Sequence, residues 1–177
     1  FYNPAGAPVR QALGLSRIKE LGFYLIDIAH HFFGMPVSAM AQGSILHPEV
    51  MNDVEELATV ILRFPQGQMF TLIFNCASPG TRHELEVFGS KGRLYWPEWP
   101  PHGNGPVVKI TNAGSESSEA HTAENWHLPM IEDYVDALLT GRPPVCSLES
   151  AVRTEVITDA IFRSLKSGKT EPISWEM

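Results

Sequence analysis

Apolar residues follow two different periods along the chain, and these divide it into predicted helices and strands. Between residues 16 and 34, four apolar side chains recur at three- and four-residue intervals: Leu21, Leu25, Ile28 and Phe32. This spacing is typical of the core-facing stripe of an amphipathic helix. Ser16 is expected to cap its N-terminus, and Gly34 is expected to follow its last turn, with Pro36 preventing continuation.

A second stripe on the same predicted helix is polar. Its members also step by three or four residues and fall within an arc of roughly 80°: Arg17, Glu20, Tyr24, Asp27 and His31. Two carboxylates, a phenol and an imidazole in one line can transfer protons or bind a polyhydroxy ligand. The same spacing also fits a solvated helix face with one half-buried tyrosine, which is the more common arrangement. Spacing alone leaves both interpretations open.

Short apolar and alternating runs predict a series of strands after this helix. We expect strands over residues 37–46, 53–64, 69–77, 83–88, 93–96 and 107–110, and an edge strand over residues 172–175. Turns at Pro65–Gln68 and Gly89–Gly92 join neighbouring strands, which predicts an antiparallel meander. In the strand at 69–77, Met69, Thr71 and Ile73 share the outward face, and their apolar or neutral character suggests a partner surface.

Two helices are predicted near the end of the sequence. The first covers Trp126–Leu139, and the second runs from Ser147 to about Lys166. Their inward positions are expected to be Leu128, Ile131, Tyr134, Val135 and Leu138 in the first, and Val152, Val156, Ile157, Ala160 and Ile161 in the second. Residues 97–125, rich in Pro, Gly and Ser, are expected to form a long loop that is either functional or disordered.

Strands and helices are segregated along the chain rather than alternating. This order predicts an α+β fold with an open, mainly antiparallel β-sheet and helices packed on one face. The 177 residues suit a single domain, in which residues 1–15 form an irregular lead-in. Because the sequence starts at Phe1 without Met, we expect part of a longer protein to lie upstream.

Composition removes several classes of function. The net charge of −7 argues against a nucleic-acid partner, because no basic patch is available to neutralise phosphates. No apolar run approaches the ~20 residues that span a bilayer, so we expect no membrane partner. Cys76 and Cys146 lack the spacing of a zinc site or a disulfide framework. A reducing, cytoplasmic location is therefore expected.

Three motifs occur in a characteristic order. They are the segment from Gly22 to Asp27 that continues to Phe33-Gly34-Met35-Pro36, the pair formed by Phe64–Gly67 and Glu84–Gly92, and the stretch 126–169. Together, over residues 16–173, they resemble the C-terminal domain of the Gfo/Idh/MocA oxidoreductases, the family of glucose–fructose oxidoreductase and inositol dehydrogenase. The resemblance implies a fold like the C-terminal domain of dihydrodipicolinate reductase, and hydride transfer at a hydroxyl carbon of a sugar or polyol.

The resemblance also implies roles for individual residues. Tyr24 falls where the family places its catalytic His or Tyr. Asp27 matches the second acidic position of the motif, whereas Glu20 stands where the family usually has Asp. The candidate substrate-binding residues are Glu20, Asp27 and His31 on the helix, and Trp126 and His127 beside the loop.

The cofactor half of such an enzyme is missing from this sequence. No G-x-G-x-x-G follows a predicted strand, and the family's E-K-P lysine motif is absent. We therefore expect NAD or NADP to be used by the intact enzyme and not to bind tightly to this chain alone. The expected partners are an N-terminal Rossmann domain, a sugar- or polyol-like substrate, and further copies in a homodimer or homotetramer formed through the sheet face.

Two alternatives compete with this interpretation. One is a non-enzymatic binding or assembly module of the same fold, which the departure at Glu20 and the missing cofactor half favour. The other is a metal site formed by Asp27, His30 and His31. His30 lies about 100° around the helix from His31, so the three side chains do not converge. His30 is accordingly predicted to be an ordinary side chain at the helix flank.

Overall fold

A computed structural model describes residues 18–51, 53–77, 83–97, 105–119, 125 and 127–175. In chain order its elements are a π-helical turn (Ile18–Gly22), α1 (Phe23–Phe33), β1 (Ser38–Ser44), a helical turn (Pro48–Met51), β2 (Leu57–Arg63), β3 (Met69–Asn75), β4 (Leu85–Gly89), β5 (Gly92–Trp96), β6 (Val107–Thr111), β7 (Gly114–Ser118), α2 (Leu128–Thr140), α3 (Leu148–Ser167) and β8 (Glu171–Pro172). Among these, no helix has the length and apolar character needed to cross a bilayer.

The chain forms two compact units. The first unit combines residues 1–79 with 146–177, and the second comprises residues 80–145. The strands predicted as one meander are divided between two antiparallel sheets, with orders β3-β2-β1-β8 in the first unit and β4-β5-β6-β7 in the second. The predicted class, α+β with open antiparallel sheets, is confirmed. That the whole chain acts as one substrate-binding domain stays a prediction.

Helices α1 and α3 cover one face of the first sheet. Alternate residues of the central strands point inward, and the largest buried side chains include Val60 and Leu62 on β2, Ile26 on α1, and Ile157 and Ile161 on α3. Inward positions on β1 are the small residues Ala39 and Ala41, which leave room for α3 to lie close to that strand. The expected inward positions of α3 hold except for Val152, which is 41% exposed.

Strand β1 is secured to α3 by a buried hydroxyl. Strand β8 pairs with β1 only at Ser38 and Ala39. Beyond that point, the backbone N–H of Ala41 donates to Ser164 Oγ at 2.8 Å, and the Ser164 hydroxyl donates to the carbonyl of Lys169 at 2.6 Å. The serine therefore satisfies a backbone donor where the neighbouring strand has ended.

The connection between β1 and β2 is held by a buried carboxylate. Glu56, 1% exposed, accepts hydrogen bonds from the N–H groups of Leu46 and His47 at 2.6 Å and from His47 Nδ1 at 2.7 Å. Burial alone would raise the pKa of Glu56, but these hydrogen bonds, that of the His47 imidazole first, hold it below its ordinary value. The hydrogen bond with Glu56 in turn raises the pKa of His47.

Helix α1 buries a different face from the one its sequence predicts. Ile18, Ile26 and Ala29 are buried, whereas Leu21 is 37% exposed and Phe32 is 64% exposed. The predicted stripe is therefore wrong at Leu21 and Phe32, whereas Leu25 is partly buried and packs against the core as predicted. Ile18, Ile26 and Ala29 also stand at helical spacing, so apolar residues occupy more than one face of this segment and periodicity does not select the buried one. Ser16, Arg17 and the lead-in 1–15 lie outside the described residues.

In the second unit, part of the predicted loop 97–125 is a β-hairpin. Strand β7 pairs antiparallel with β6, from Val107 opposite Ser118 to Thr111 opposite Gly114. Every residue of β7 is exposed, and its Ser/Glu-rich sequence has no apolar alternation that could have predicted a strand. The hairpin that was predicted at Gly89–Gly92 is confirmed, with Gly89 opposite Gly92.

Helix α2 of the second unit ends in an arginine clamp. Arg142 donates from Nη2 to Asp133 Oδ1 at 2.7 Å and from Nε to Asp136 Oδ2 at 2.9 Å. The Val145 N–H donates to Asp133 Oδ2 at 2.8 Å, and this bond together with Arg142 lowers the pKa of Asp133. The turn after α2, which begins at Gly141 with φ 73°, is therefore closed by side chains of the helix itself.

Candidate functional site

Gly22 brings the start of α1 close to the first sheet. A Cβ atom at this buried position would lie 2.9 Å from Cζ of Phe74, closer than side-chain contacts allow. The glycine of the sequence motif thus has a packing reason, since it lets the segment that carries Glu20 and Tyr24 lie directly against β3. This close approach sets the position of the helix on which the candidate site is built.

Three predicted site residues lie on the open side of this helical segment. Tyr24 is 44% exposed, and its ring packs on Phe23 with 3.9 Å between ring centroids. Glu20, one turn earlier, is half-buried. His31 is exposed and meets the ring of Phe32 edge-on at 5.8 Å. The phenol is therefore open to a ligand, with a carboxylate and an imidazole on the same helical segment.

The Asp27 side chain is partly exposed and also contacts residues of both α1 and α3. Its side chain is 49% exposed, yet its Oδ1 atom lies 3.0 Å from His30 Nε2. The same oxygen accepts hydrogen bonds from Ser150 Oγ at 3.2 Å and from Thr154 Oγ1 at 3.3 Å. The carboxylate consequently joins α1 to α3 while remaining accessible to solvent.

His30 is not the ordinary flank residue that the sequence predicted. It is 8% exposed, and its Nε2 atom also lies 3.0 Å from Thr154 Oγ1. Burial lowers the pKa of His30; the carboxylate of Asp27 opposes this shift, and the nearby Arg153 guanidinium adds to it. The imidazole is therefore neutral near pH 7. Sequence periodicity missed this residue because its partners come from α3, more than a hundred residues away.

The loop-side candidates belong to the second unit or lie outside the described residues. His127 is exposed immediately before α2, and its backbone N–H donates to Asn125 Oδ1 at 3.0 Å. Trp126 is not among the described residues. Ligand contact by either side chain stays a prediction. Within the ranges that the structure describes, no group of three or more His, Cys, Asp or Glu side chains is placed to hold a metal ion.

Comparison with known proteins identifies the family of this chain. The family model described as the GFO/IDH/MocA C-terminal domain matches residues 3–95, just over half of the 177 residues. The chain therefore belongs to this family, and the resemblance predicted from the three motifs is confirmed. No curated protein matches the sequence significantly.

Solved structures share the fold at low sequence identity. An aldose-aldose oxidoreductase from Caulobacter crescentus, complexed with glycerol, matches with TM-score 0.82 and 19% identity over 97% of this chain and 52% of its own. An oxidoreductase from Agrobacterium radiobacter, in complex with NAD+, L-tartaric acid and magnesium, matches with TM-score 0.73 and 19% identity over 88% of this chain and 48% of its own. The WlbA dehydrogenase from Bordetella pertussis matches with TM-score 0.65 and 15% identity over 90% of this chain and 46% of its own. The chain thus spans about half the length of these proteins.

Proposed function

We propose that the longer protein containing this chain is an NAD(P)-dependent oxidoreductase that acts on a CH–OH group of a sugar, polyol or related hydroxy compound. This chain would be its substrate-binding and oligomerisation domain, beside an N-terminal Rossmann domain. Family membership supports the proposal, as do similar structures that hold glycerol or NAD+. The observation that carries it is the half-exposed phenol of Tyr24, one helical turn from the accessible carboxylate of Asp27.

The described residues do not themselves fit a dinucleotide. In these ranges, no glycine-rich turn joins a strand to the N-terminus of a helix, which is how such folds bind a pyrophosphate. We therefore assign to this chain only the binding of substrate and the handling of its hydroxyl proton, and place cofactor binding in the other half of the protein.

In this proposal each candidate residue of the helical segment Ile18–Phe33 has its own role. Oxidation of a carbinol would transfer a hydride from carbon to the nicotinamide held by the other half of the protein and release a proton from oxygen. We assign to Tyr24 Oη the acceptance of a hydrogen bond from that hydroxyl and the transfer of a proton onward to solvent, to which the half-exposed side chain has access. Glu20 and Asp27 accept hydrogen bonds from neighbouring hydroxyl groups, which carboxylates do well. His31, Trp126 and His127 are further proposed substrate contacts.

A tyrosine substitution tests this assignment directly. In the full-length protein, Tyr24→Phe should lower kcat for oxidation of myo-inositol, glycerol or D-glucose by roughly 100-fold, the usual value of a positioned proton-transfer group. The measurement is the appearance of reduced nicotinamide with NAD+ and with NADP+. Tyr134→Phe is the matched control, because Tyr134 is also an exposed tyrosine, at 55% on α2 against 44% for Tyr24. An unchanged kcat in Tyr24→Phe would contradict the proposal.

The outer face of the first sheet is the proposed site of self-association. Met40, Met69 and Ile73 are 40%, 60% and 76% exposed on β1 and β3, so an apolar surface remains uncovered by α1 and α3. We expect Ile73→Lys to reduce the molar mass measured by light scattering from that of a dimer or tetramer towards that of a monomer. Leu139→Lys on α2 should not, although Leu139 is 82% exposed. Equal effects of the two substitutions would exclude the sheet face.

A non-enzymatic module of the same fold is the second candidate. It is favoured by Glu20, which stands where the family motif usually has Asp. A binding module would bind myo-inositol or glycerol without cofactor in a calorimetric titration, and an assembly module would only self-associate. Turnover of any of these compounds by the full-length protein would exclude both.

A further inference from the structure

One carboxylate oxygen of Asp27 is surrounded by three donors. His30 Nε2 lies 3.0 Å from Oδ1, and the hydroxyl groups of Ser150 and Thr154 donate to it at 3.2 and 3.3 Å. His30 and Thr154 are buried, whereas the Asp27 side chain is 49% exposed. A solvated surface carboxylate would not need a buried set of donors, so this arrangement fixes the direction of the carboxylate.

The protonation of the network follows from its geometry. A neutral imidazole has one N–H group, and its Nε2 atom lies next to an anionic oxygen, so Nε2 carries the proton and donates to Asp27. Thr154 Oγ1 has a single hydrogen, which it shares between Asp27 Oδ1 and the carbonyl of Ser150 at 3.3 Å. Thr154 Oγ1 can then accept from Nε2, 3.0 Å away. The hydrogens on Nε2 and Oγ1 therefore account for these contacts without a second charge.

We propose that His30 is a positioning residue that, with Ser150 and Thr154, holds the Asp27 carboxylate in the orientation from which it binds a substrate hydroxyl. The inference rests on the proposed function, in which Asp27 is a substrate-binding group. Preorganised orientation matters because a carboxylate that rotates freely must be ordered again at each binding event.

The charges around His30 keep this role stable at neutral pH. Asp27 and His31 face it from its own helix, and Arg153 faces it from α3. Arg153 is itself paired with Glu149 and lies over the ring of Trp175, with 5.8 Å from Cζ to the ring centroid. Burial and the guanidinium of Arg153 disfavour a second proton on His30, so the imidazole acts as a neutral donor.

Crystal structures of full-length variants test the positioning independently of turnover. In His30→Leu we expect the Asp27 side chain to leave its wild-type rotamer, because its nearest donor is gone. In His30→Gln the amide N–H can donate in place of Nε2, so the wild-type orientation should be retained. Thr154→Val removes a shared hydroxyl at nearly constant shape and should also release Asp27. It carries the test if His30→Leu does not fold.

Kinetics then connect orientation to substrate binding. With myo-inositol, glycerol and D-glucose as probes, His30→Leu should raise KM about tenfold, equivalent to the loss of one good hydrogen bond, with kcat changed less than about threefold. His30→Gln should restore most of the loss. Thr158→Val is the matched control, since Thr158 is equally buried on α3 and donates only to the carbonyl of Thr154 at 2.8 Å.

Two results would overturn the inference. One is an Asp27 side chain that keeps its wild-type orientation in both His30→Leu and Thr154→Val. The other is a change in KM that Thr158→Val shares or that His30→Gln does not reverse. If the wild-type protein oxidises no probe, the proposed function fails, and the Asp27 orientation in the crystal structures still decides whether His30 positions it.

Discussion

The two units treat apolar side chains in opposite ways. In the first unit, the inward faces of the sheet and of two helices bury one another, and Ile26, Leu62 and Ile157 are completely hidden. In the second unit, α2 exposes a whole apolar stripe, whose members include Ile131 at 49% and Leu138 at 67%. Both units have equally regular amphipathic patterns. An amphipathic pattern therefore predicts a helix or strand and its apolar face, but it does not predict whether another element buries that face.

A matched pair of leucine substitutions gives the largest expected difference between the units. Leu62→Ala removes a fully buried side chain from β2 and should lower the free energy of unfolding by about 3 kcal/mol. Leu138→Ala, at a 67% exposed position of α2, should change it by less than about 0.5 kcal/mol. Urea unfolding followed by circular dichroism measures both. Equal losses would show that α2 is buried in solution, and the contrast between the units would disappear.

The buried carboxylate of Glu56 is expected to contribute to the stability of the first unit. Glu56→Gln in the first unit keeps the shape but weakens three hydrogen bonds to a buried acceptor, and we expect a loss of about 2 kcal/mol. The neighbouring Glu55→Gln is the control, because Glu55 is half-exposed.

The effect of Glu56→Gln should also depend on pH. The folded-state pKa of Glu56 lies below its ordinary 4.5, so its stabilisation is present above that value and is lost as the pH falls. The pKa of His47 lies above its ordinary 6.5, so its share is present below that value and is lost as the pH rises. The difference between wild type and variant should therefore be largest between these two pH values. A pH-independent difference would mean that the ion pair contributes nothing.

The smallest expected effect is in the second unit. Arg142→Lys keeps the charge but loses the fork that holds Asp133 and Asp136, an exposed arrangement that contributes little to global stability. We expect hydrogen exchange at the Val145 amide to accelerate about threefold, with no measurable change in unfolding. Arg93→Lys, which alters the Arg93–Glu86 pair on β4 and β5, should leave that amide unaffected. A large loss of stability would place Arg142 in a tighter environment than the structure gives it.

Much of the fold was predictable because its turns and helix ends are determined by residues close together in sequence. The turn at Gly67, where φ is 90°, the hairpin at Gly89–Gly92 and the cap at Ser147 each depend on residues adjacent in sequence. Strand β7 was missed because it is polar throughout, and the buried face of α1 was misassigned because apolar residues occupy more than one face of that helix.

The candidate site was predictable only in part. Tyr24, Asp27 and His31 could be named as candidates because they share one stripe of one helix, and their roles stay predictions. His30 was missed because its role depends on Thr154, and no spacing along the sequence reveals which helix will pack against α1. Residues whose partners are remote in sequence need the tertiary structure, and the family motif gave no signal at this position.

The first unit is interrupted in sequence by the second, and this has a consequence during synthesis. Strands β1 to β3 leave the ribosome before residues 80–145, and α3 follows only after them. At translation rates of roughly 5–20 residues per second, the inner face of the sheet waits on the order of ten seconds for its second covering helix. Through that interval Val60 and Leu62 depend on α1 or on a chaperone, so a nascent chain stalled before α3 should be the most aggregation-prone form of this protein.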